Sequence, residues 1–168
     1  MKIAKMKFME INMLFQMNSV IEPIPTDEDI NKREQSWRLK LPIDYINFLK
    51  KYNACIPIKK SFNCNNHSYA IVRFLGIINN WSDSELGWYD ISVVASGIEE
   101  RLTDNEDLVG LELLPIAELF AGDYLCLNFK KNQDFPTVCI WNHEESDEFM
   151  PVIYEVADSF GKFIDMLE

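Results

Sequence analysis

Between Leu113 and His143 apolar and polar residues alternate in short bursts separated by turn residues. Leu113, Leu114 and Ile116 form an apolar run around Pro115, and Gly122 and Asp123 then mark a turn. From Tyr124 to Phe129 the side chains Leu125, Leu127 and Phe129 point one way, and Tyr124, Cys126 and Asn128 the other. After a polar loop, Lys130 to Pro136, the stretch Thr137 to Trp141 sets Val138 and Ile140 against Thr137, Cys139 and Trp141. A period of two marks half-buried strands, because successive side chains leave a strand on opposite faces. Loops this short join antiparallel neighbours, so the pattern predicts a sheet that is at least partly a meander. Its apolar face needs helices as a lid. Counting register across the loop puts Cys126 and Cys139 on facing strands.

The helical pattern lies on either side of that stretch. Thr26 is a good N-cap, followed by Asp27, Glu28 and Asp29, whose carboxylates suit the positive end of a helix dipole. This helix is expected to run to about Arg38. It faces inward with Ile30, Trp37 and the stem of Arg33. Glu34 shares that side, one turn after Ile30, and is the odd charge on an apolar stripe. It reads as a rim residue paired with Arg33 or Arg38. Pro42 opens a second helix in which Tyr45, Phe48, Leu49 and Tyr52 recur at helical spacing. Lys50 and Lys51 suit its C-terminal end, and Asn53 is expected to take the left-handed cap. Ile56 to Phe62 reads as a strand, Asn63 to His67 as a polar loop, and Tyr69 to Leu75 as a stronger strand closed by Gly76. Ile91, Val94 and Ile98 predict a third helix, weakened by Gly97. Thr103 to Glu112 is an acidic connector. Pro151 to Val156 predicts an edge strand. Asp158 or Ser159 then caps a last helix that buries Phe160, Phe163, Ile164 and Leu167.

Composition narrows the class. The chain has 168 residues, of which 48% are hydrophobic, enough for one domain with a real core. Its formal net charge of -11 repels nucleic-acid phosphate and anionic lipid, so neither is an expected direct ligand, and it favours a basic partner. The four cysteines, Cys55, Cys64, Cys126 and Cys139, show no C-x-x-C spacing and read as free thiols of a reducing cytoplasm. No stretch is long enough to span a membrane. Residues 1–25 read as a leader, disordered or docked on the domain as a helix or an added strand, with the domain proper at 26–168. Five methionines among the first seventeen residues leave Met13 and Met17 as alternative starts.

Catalytic signatures are missing: there is no G-x-G-x-x-G, P-loop, G-x-S-x-G or H-E-x-x-H. Cys64 and His67 have C-x-x-H spacing but lack a fourth ligand, and His143 with Glu144 and Glu145 reads as a solvated loop. No enzyme activity, metal or cofactor is expected. What stands out is WSDSELGWYD, in which Trp81, Trp88 and Tyr89 lie among Asp83, Glu85 and Asp90. Loop aromatics beside carboxylates resemble an interface anchor. Trp88 is read as the ring that plugs the core and Trp81 as the exposed anchor. The acidic runs Asp104, Glu106, Asp107 and Glu144, Glu145, Asp147, Glu148 complete the candidate partner-binding face with Asp83 and Glu85.

Several spacings taken together resemble a known family. Leu41-Pro42-x-x-Tyr45 with Phe48-Leu49 and Tyr52-Asn53, preceded by Glu34, is one block. Leu114-Pro115-Ile116, Gly122-Asp123, Leu125-Cys126-Leu127 and Trp141-Asn142-His143-Glu144 follow in order, then Ala157-Asp158-Ser159-Phe160 with Phe163. From about Asp27 to Leu167 the chain resembles the SUKH superfamily, bacterial toxin-immunity proteins related to the fungal cell-wall-assembly regulators. It departs where Ala54-Cys55 stand in place of the usual glycines, which bears on the turn geometry, and where Asn142 replaces an Asp. The resemblance implies an α+β domain with helices packed on a mixed, mainly antiparallel sheet of about five or six strands. It also implies non-catalytic neutralisation of a cognate protein toxin, nucleases being common among such toxins. The alternative is a non-inhibitory scaffold or regulatory interaction module of the same fold. Finally, the family-like placement of Glu34 and of the Trp141–His143 strand end predicts that they share a polar pocket beside the sheet.

Overall fold

The computed structural model describes residues 14–107 and 110–168. In chain order the elements are β1 (Phe15–Gln16), α1 (Asp27–Trp37), α2 (Ile43–Tyr52), β2 (Ile56–Pro57), β3 (Ser61–Cys64) and β4 (His67–Phe74), then α3 (Ile91–Leu102), β5 (Leu113–Leu119), β6 (Tyr124–Asn128), β7 (Thr137–Trp141), β8 (Ile153–Ala157) and α4 (Phe160–Ile164). Strands β3 to β8 form one six-stranded sheet in chain order, each antiparallel to its neighbour, and β1 pairs with β2 apart from it. The fold is α+β as expected, but the large sheet is antiparallel throughout rather than mixed. Even the long β4–β5 connection, which carries α3, returns its strand antiparallel.

Local chemistry explains the element ends. Thr26 and Asp29 form a capping box: the Asp29 amide donates to Thr26 Oγ1 at 3.2 Å and the Thr26 amide donates to Asp29 Oδ2 at 2.8 Å. Those bonds from the Thr26 backbone and hydroxyl hold the Asp29 carboxyl below its usual range. Pro42 precedes α2, whose buried face is the predicted Tyr45, Phe48, Leu49 and Tyr52. The rings of that face meet Phe160 of α4 and Phe74 of β4. Phe48 lies 5.0 Å from Phe160 and 4.8 Å from Phe74, and Tyr45 lies 5.0 Å from Phe160. Each such edge or tilted contact adds about 0.5–1.5 kcal/mol to plain burial.

Three local expectations are corrected. Asn53 does not take the left-handed cap; Ala54 does, with φ 54°, and fully buried Asn53 turns its amide inward. It donates to the carbonyls of Ile21 and Ile77 at 3.1 and 3.0 Å and accepts from the Ile77 amide at 2.9 Å. Gly76 runs so close that a Cβ there would sit 2.3 Å from Asn53 Oδ1. The single strand expected at Ile56 to Phe62 is split, because Pro57 has no amide to continue a ladder: β2 serves β1 and β3 serves β4. The expected polar loop is a tight hairpin instead. Asn65 and Asn66 both have positive φ, 49° and 63°, as a two-residue type I′ turn requires. The strand expected around Pro115 is present: Pro115 sits inside the sheet, where the register shifts between Pro115 and Ala117, so the missing amide falls at a bulge.

The sheet is buried on both faces, not one. Leu125, Leu127, Val138 and Ile140 face the main core with α1, α2 and α4. Cys126, Cys139 and Trp141 face a second cluster closed by Ala95 and Leu102 of α3. Cys126 opposes Cys139 in register, as counted, and both are free thiols. Of the leader, residues 1–13 lie outside the described residues, while Phe15 is buried against Phe48, Tyr52 and Phe74.

Candidate interaction face

Helix α3 organises the candidate site. Its N-cap is Asp90, fully buried, whose Oδ1 accepts the Ser92 and Val93 amides at 2.8 and 3.3 Å. Asp90 Oδ2 accepts the Ile78 amide at 2.8 Å. Arg33 of α1 forks onto the same carboxylate, Nη1 to Oδ1 at 3.0 Å and Nη2 to Oδ2 at 2.8 Å, and Nη1 also donates to Ser92 Oγ at 2.5 Å. This buried ion pair fixes α3 against α1. In the sequence Asp90 reads only as one more acid of the aromatic loop, since nothing local signals that an Arg fifty-seven positions away will reach it.

At the other end, Arg101 lies over the Trp141 ring at 5.0 Å and donates to the carbonyls of His143 and Ser146, the latter at 2.8 Å. Trp141 Nε1 donates to the Arg101 carbonyl at 2.9 Å, and the Phe149 amide donates to the Glu100 carbonyl at 2.7 Å. The β7–β8 loop is thereby bolted to the C-terminal end of α3. The exposed acids Glu144, Glu145, Asp147 and Glu148 thus gather at the same helix end as exposed Asp104, Glu106 and Asp107, which follow it directly. Asp104 is paired with Lys130, which lowers its pKa. Asp83 and Glu85 are exposed at the opposite end, roughly 18 Å away at 1.5 Å per residue of a 12-residue helix. Near its C-terminal end α3 also exposes Glu99 and Glu100, two acids that the sequence reading left out. The weakening expected at Gly97 appears as a kink at Ile98, with φ -133°.

Trp81 and Trp88 are carried by two short 3-10 turns, Trp81–Asp83 and Gly87–Tyr89. The turns touch at Gly87, where a Cβ would lie 2.1 Å from the Trp81 carbonyl oxygen. Trp81 is 49% exposed, and Trp88, expected in the core, is 75% exposed. It is Tyr89 that turns inward, beneath the Arg73 guanidinium at 4.5 Å. Leu86 is exposed as well, so three large apolar side chains of this segment stand open to solvent, next in sequence to Asp83 and Glu85.

The family-motif residues divide. Leu41, Tyr45 and Phe160 are core, Pro42 starts α2, and Ser159 caps α4 by accepting the Lys162 amide at 3.2 Å. Glu34 is buried, and its partners are neither Arg33 nor Arg38: Oε1 accepts the Leu41 amide at 2.8 Å and Oε2 meets Lys40 at 2.7 Å. It staples the α1–α2 turn. Nothing among the described residues joins Glu34 to Trp141 or His143 as the expected shared pocket would: the Glu34 oxygens are taken by Leu41 and Lys40, and Trp141 faces the second cluster. His143 is held instead by Asp123, whose Oδ1 accepts both its amide at 2.9 Å and its Nδ1 at 2.8 Å. Gly122, at φ 96°, leaves room for that ring, 3.4 Å from a built Cβ.

Cys64 Sγ donates to the Glu155 carbonyl at 3.5 Å. Among the described residues no group of three or more His, Cys, Asp or Glu is arranged to hold a metal. None of their helices is long and apolar enough to cross a membrane.

This α+β domain is matched from residue 27 to 164 by the SUKH_6 family model, described as SMI1-KNR4 cell-wall, and the chain belongs to that family. It is also similar to the SPbeta prophage-derived uncharacterized protein YokK of Bacillus subtilis (strain 168), 24% identical over 150 residues that cover 84% of this chain and 73% of the relative.

Proposed function

We propose that this chain is an immunity protein of the cytoplasm that binds a cognate protein toxin and blocks it without catalysis. The toxin that fits is one with a basic substrate groove, as a nuclease has. The observation that carries the reading is the set of exposed carboxylates at the two ends of α3: Asp83 and Glu85 ahead of it, and Glu99, Glu100, Asp104, Glu106, Asp107 and the Glu144–Glu148 loop at its C-terminal end. Such a field raises association rates with a basic partner but does little for dissociation. A desolvated anchor is needed for that, and Trp81, with Trp88 beside it, supplies exposed aromatic surface next to the field. Co-expression with the toxin encoded beside it tests the reading. Reversing Asp83, Glu85, Glu144, Glu145, Asp147 and Glu148 together with Trp81→Ala should abolish protection. Full protection by that variant rejects the face. No protection by the unaltered protein against any toxin encoded beside it favours instead a non-inhibitory regulator, in keeping with the cell-wall description of the family.

A further inference from the structure

A cavity of about 520 Å³, within the size range of ligand sites, opens at the end of the sheet where the β3–β4 hairpin, the β5–β6 turn and the β7–β8 loop converge. Asp123 and Glu145 line it with Tyr69, Tyr154, Asn142 and Phe120, and among the described lining residues none is Lys or Arg. Its parts are held in position. Asp123 is fixed through Oδ1 by His143, the Tyr154 hydroxyl donates to Glu145 Oε2, and the Tyr69 ring stacks on Phe62 at 5.6 Å. Ala121 and Gly122 both take positive φ, 74° and 96°, a strained turn that leaves Phe120 76% exposed at the rim. Positive φ at a non-glycine residue costs roughly 1–3 kcal/mol and persists where the surroundings enforce it.

We infer that this cavity receives an arginine side chain of a protein partner. Two carboxylates at a cavity lined by no lysine or arginine, with His67 also on its wall and His143 on one oxygen of Asp123, ask for a positive guest. Tyrosine and phenylalanine faces favour a flat guanidinium, which stacks and offers a fork of donors, over an ammonium. Glu145 belongs both to this cavity and to the acidic loop at the end of α3, so the cavity is continuous with the proposed interaction face. The proposal rests on the toxin-binding reading only for where the arginine comes from.

The test uses the whole chain and free probes, so it needs no toxin. N-acetyl-arginine amide is titrated while backbone and side-chain NMR shifts are followed, beside the matched lysine amide and the neutral citrulline amide. Saturable shifts at Tyr69, Asp123 and Tyr154 are expected for the arginine probe, with weaker binding of lysine and none of citrulline. Glu145→Gln, which keeps an acceptor for Tyr154, should weaken arginine binding about tenfold, the worth of one charge-assisted bond. Phe120→Ala at the exposed rim should weaken it about threefold. Citrulline or lysine binding as well as arginine, shifts confined to the acids around Asp104, or unchanged affinity in Glu145→Gln each overturn the assignment. A failed titration leaves the immunity reading standing, and a failed co-expression test leaves a positive titration standing.

Discussion

Asp90→Ala is the substitution that weighs most on the fold and on the proposed face at once. The native carboxylate, fully buried, accepts from both arms of Arg33, from the Ile78 amide and from two amides at the start of α3. Removing one partner of a buried pair costs about 3–5 kcal/mol, because the other charge is left behind uncompensated. Arg33 is 16% exposed, so water relieves part of that and the lower end applies. The N-cap adds about 1 kcal/mol, and the stranded Ile78 amide about 1–3 kcal/mol. These overlap, and a total of about 4–5 kcal/mol is expected, against roughly 5–15 kcal/mol for a whole domain. Asp90→Asn keeps an oxygen for the cap and should cost about half as much. Urea unfolding gives the numbers from midpoint and slope. Arg33→Met, alone and combined with Asp90→Ala, should show a coupling of about 2 kcal/mol, since each change removes what the other needs. A cost below about 1 kcal/mol for Asp90→Ala, or strictly additive variants, refutes the idea that this pair fixes α3.

Glu34→Ala should destabilise by about 2 kcal/mol through the orphaned Leu41 amide. Glu34→Gln, which still accepts that amide, should cost under about 1 kcal/mol because the lost partner Lys40 is 74% exposed; equal costs in denaturation would argue that the charge is what matters. Tyr45 is fully buried and its hydroxyl has no hydrogen-bond partner among the described residues, so Tyr45→Phe should leave stability unchanged or raise it by up to about 1 kcal/mol, and a clear loss in melting experiments would point to a missed partner. Burial pushes the Cys55 thiol up to about 12 and those of Cys126 and Cys139 up as well. Unfolded thiols ionise near about 8.5, so above that pH the unfolded chain holds fewer protons than the folded one. Their contribution is therefore intact at neutral pH and is lost as pH rises toward the folded values. The denaturation midpoint should fall between pH 8 and 10, by less in a Cys126→Ala/Cys139→Ala variant, and an identical fall in both would refute the assignment.

Much of the architecture was readable because it follows from local periodicity. The alternation at Tyr124–Phe129 and Thr137–Trp141 gave the β6–β7 register down to Cys126 opposite Cys139, and the helical spacing at Tyr45 to Tyr52 gave the α2 core face. What failed depends on partners distant in sequence. Trp88 and Tyr89 are adjacent aromatics, and it is Tyr89 that packs on the core and lies beneath Arg73, a residue distant in sequence. Likewise Glu34 looks toward Arg33 on the helix surface, yet the chain reversal at Arg38 brings Leu41 and Lys40 to it instead. The candidate face was legible as charge but not as shape. The sequence carries the acids of Asp104–Asp107 and Glu144–Glu148 as separate runs, and only Arg101, bound to two carbonyls of the later loop, gathers them at one helix end.

The central claim, that the acidity at the ends of α3 drives capture of a basic toxin, is tested most directly by association kinetics. A candidate toxin domain, sought among the proteins encoded beside this chain, is immobilised, and association and dissociation rates are measured at low and high salt for the unaltered protein and for the variant with Asp83, Glu85, Glu144, Glu145, Asp147 and Glu148 reversed to lysine. Association of the unaltered protein should be fast and fall steeply with salt, by about tenfold or more between roughly 0.05 and 0.5 M, as the screening length shrinks from about 14 to 4 Å. The reversed variant should associate slowly and lose that salt dependence. Equal association rates for the two proteins, insensitive to salt, would contradict the account.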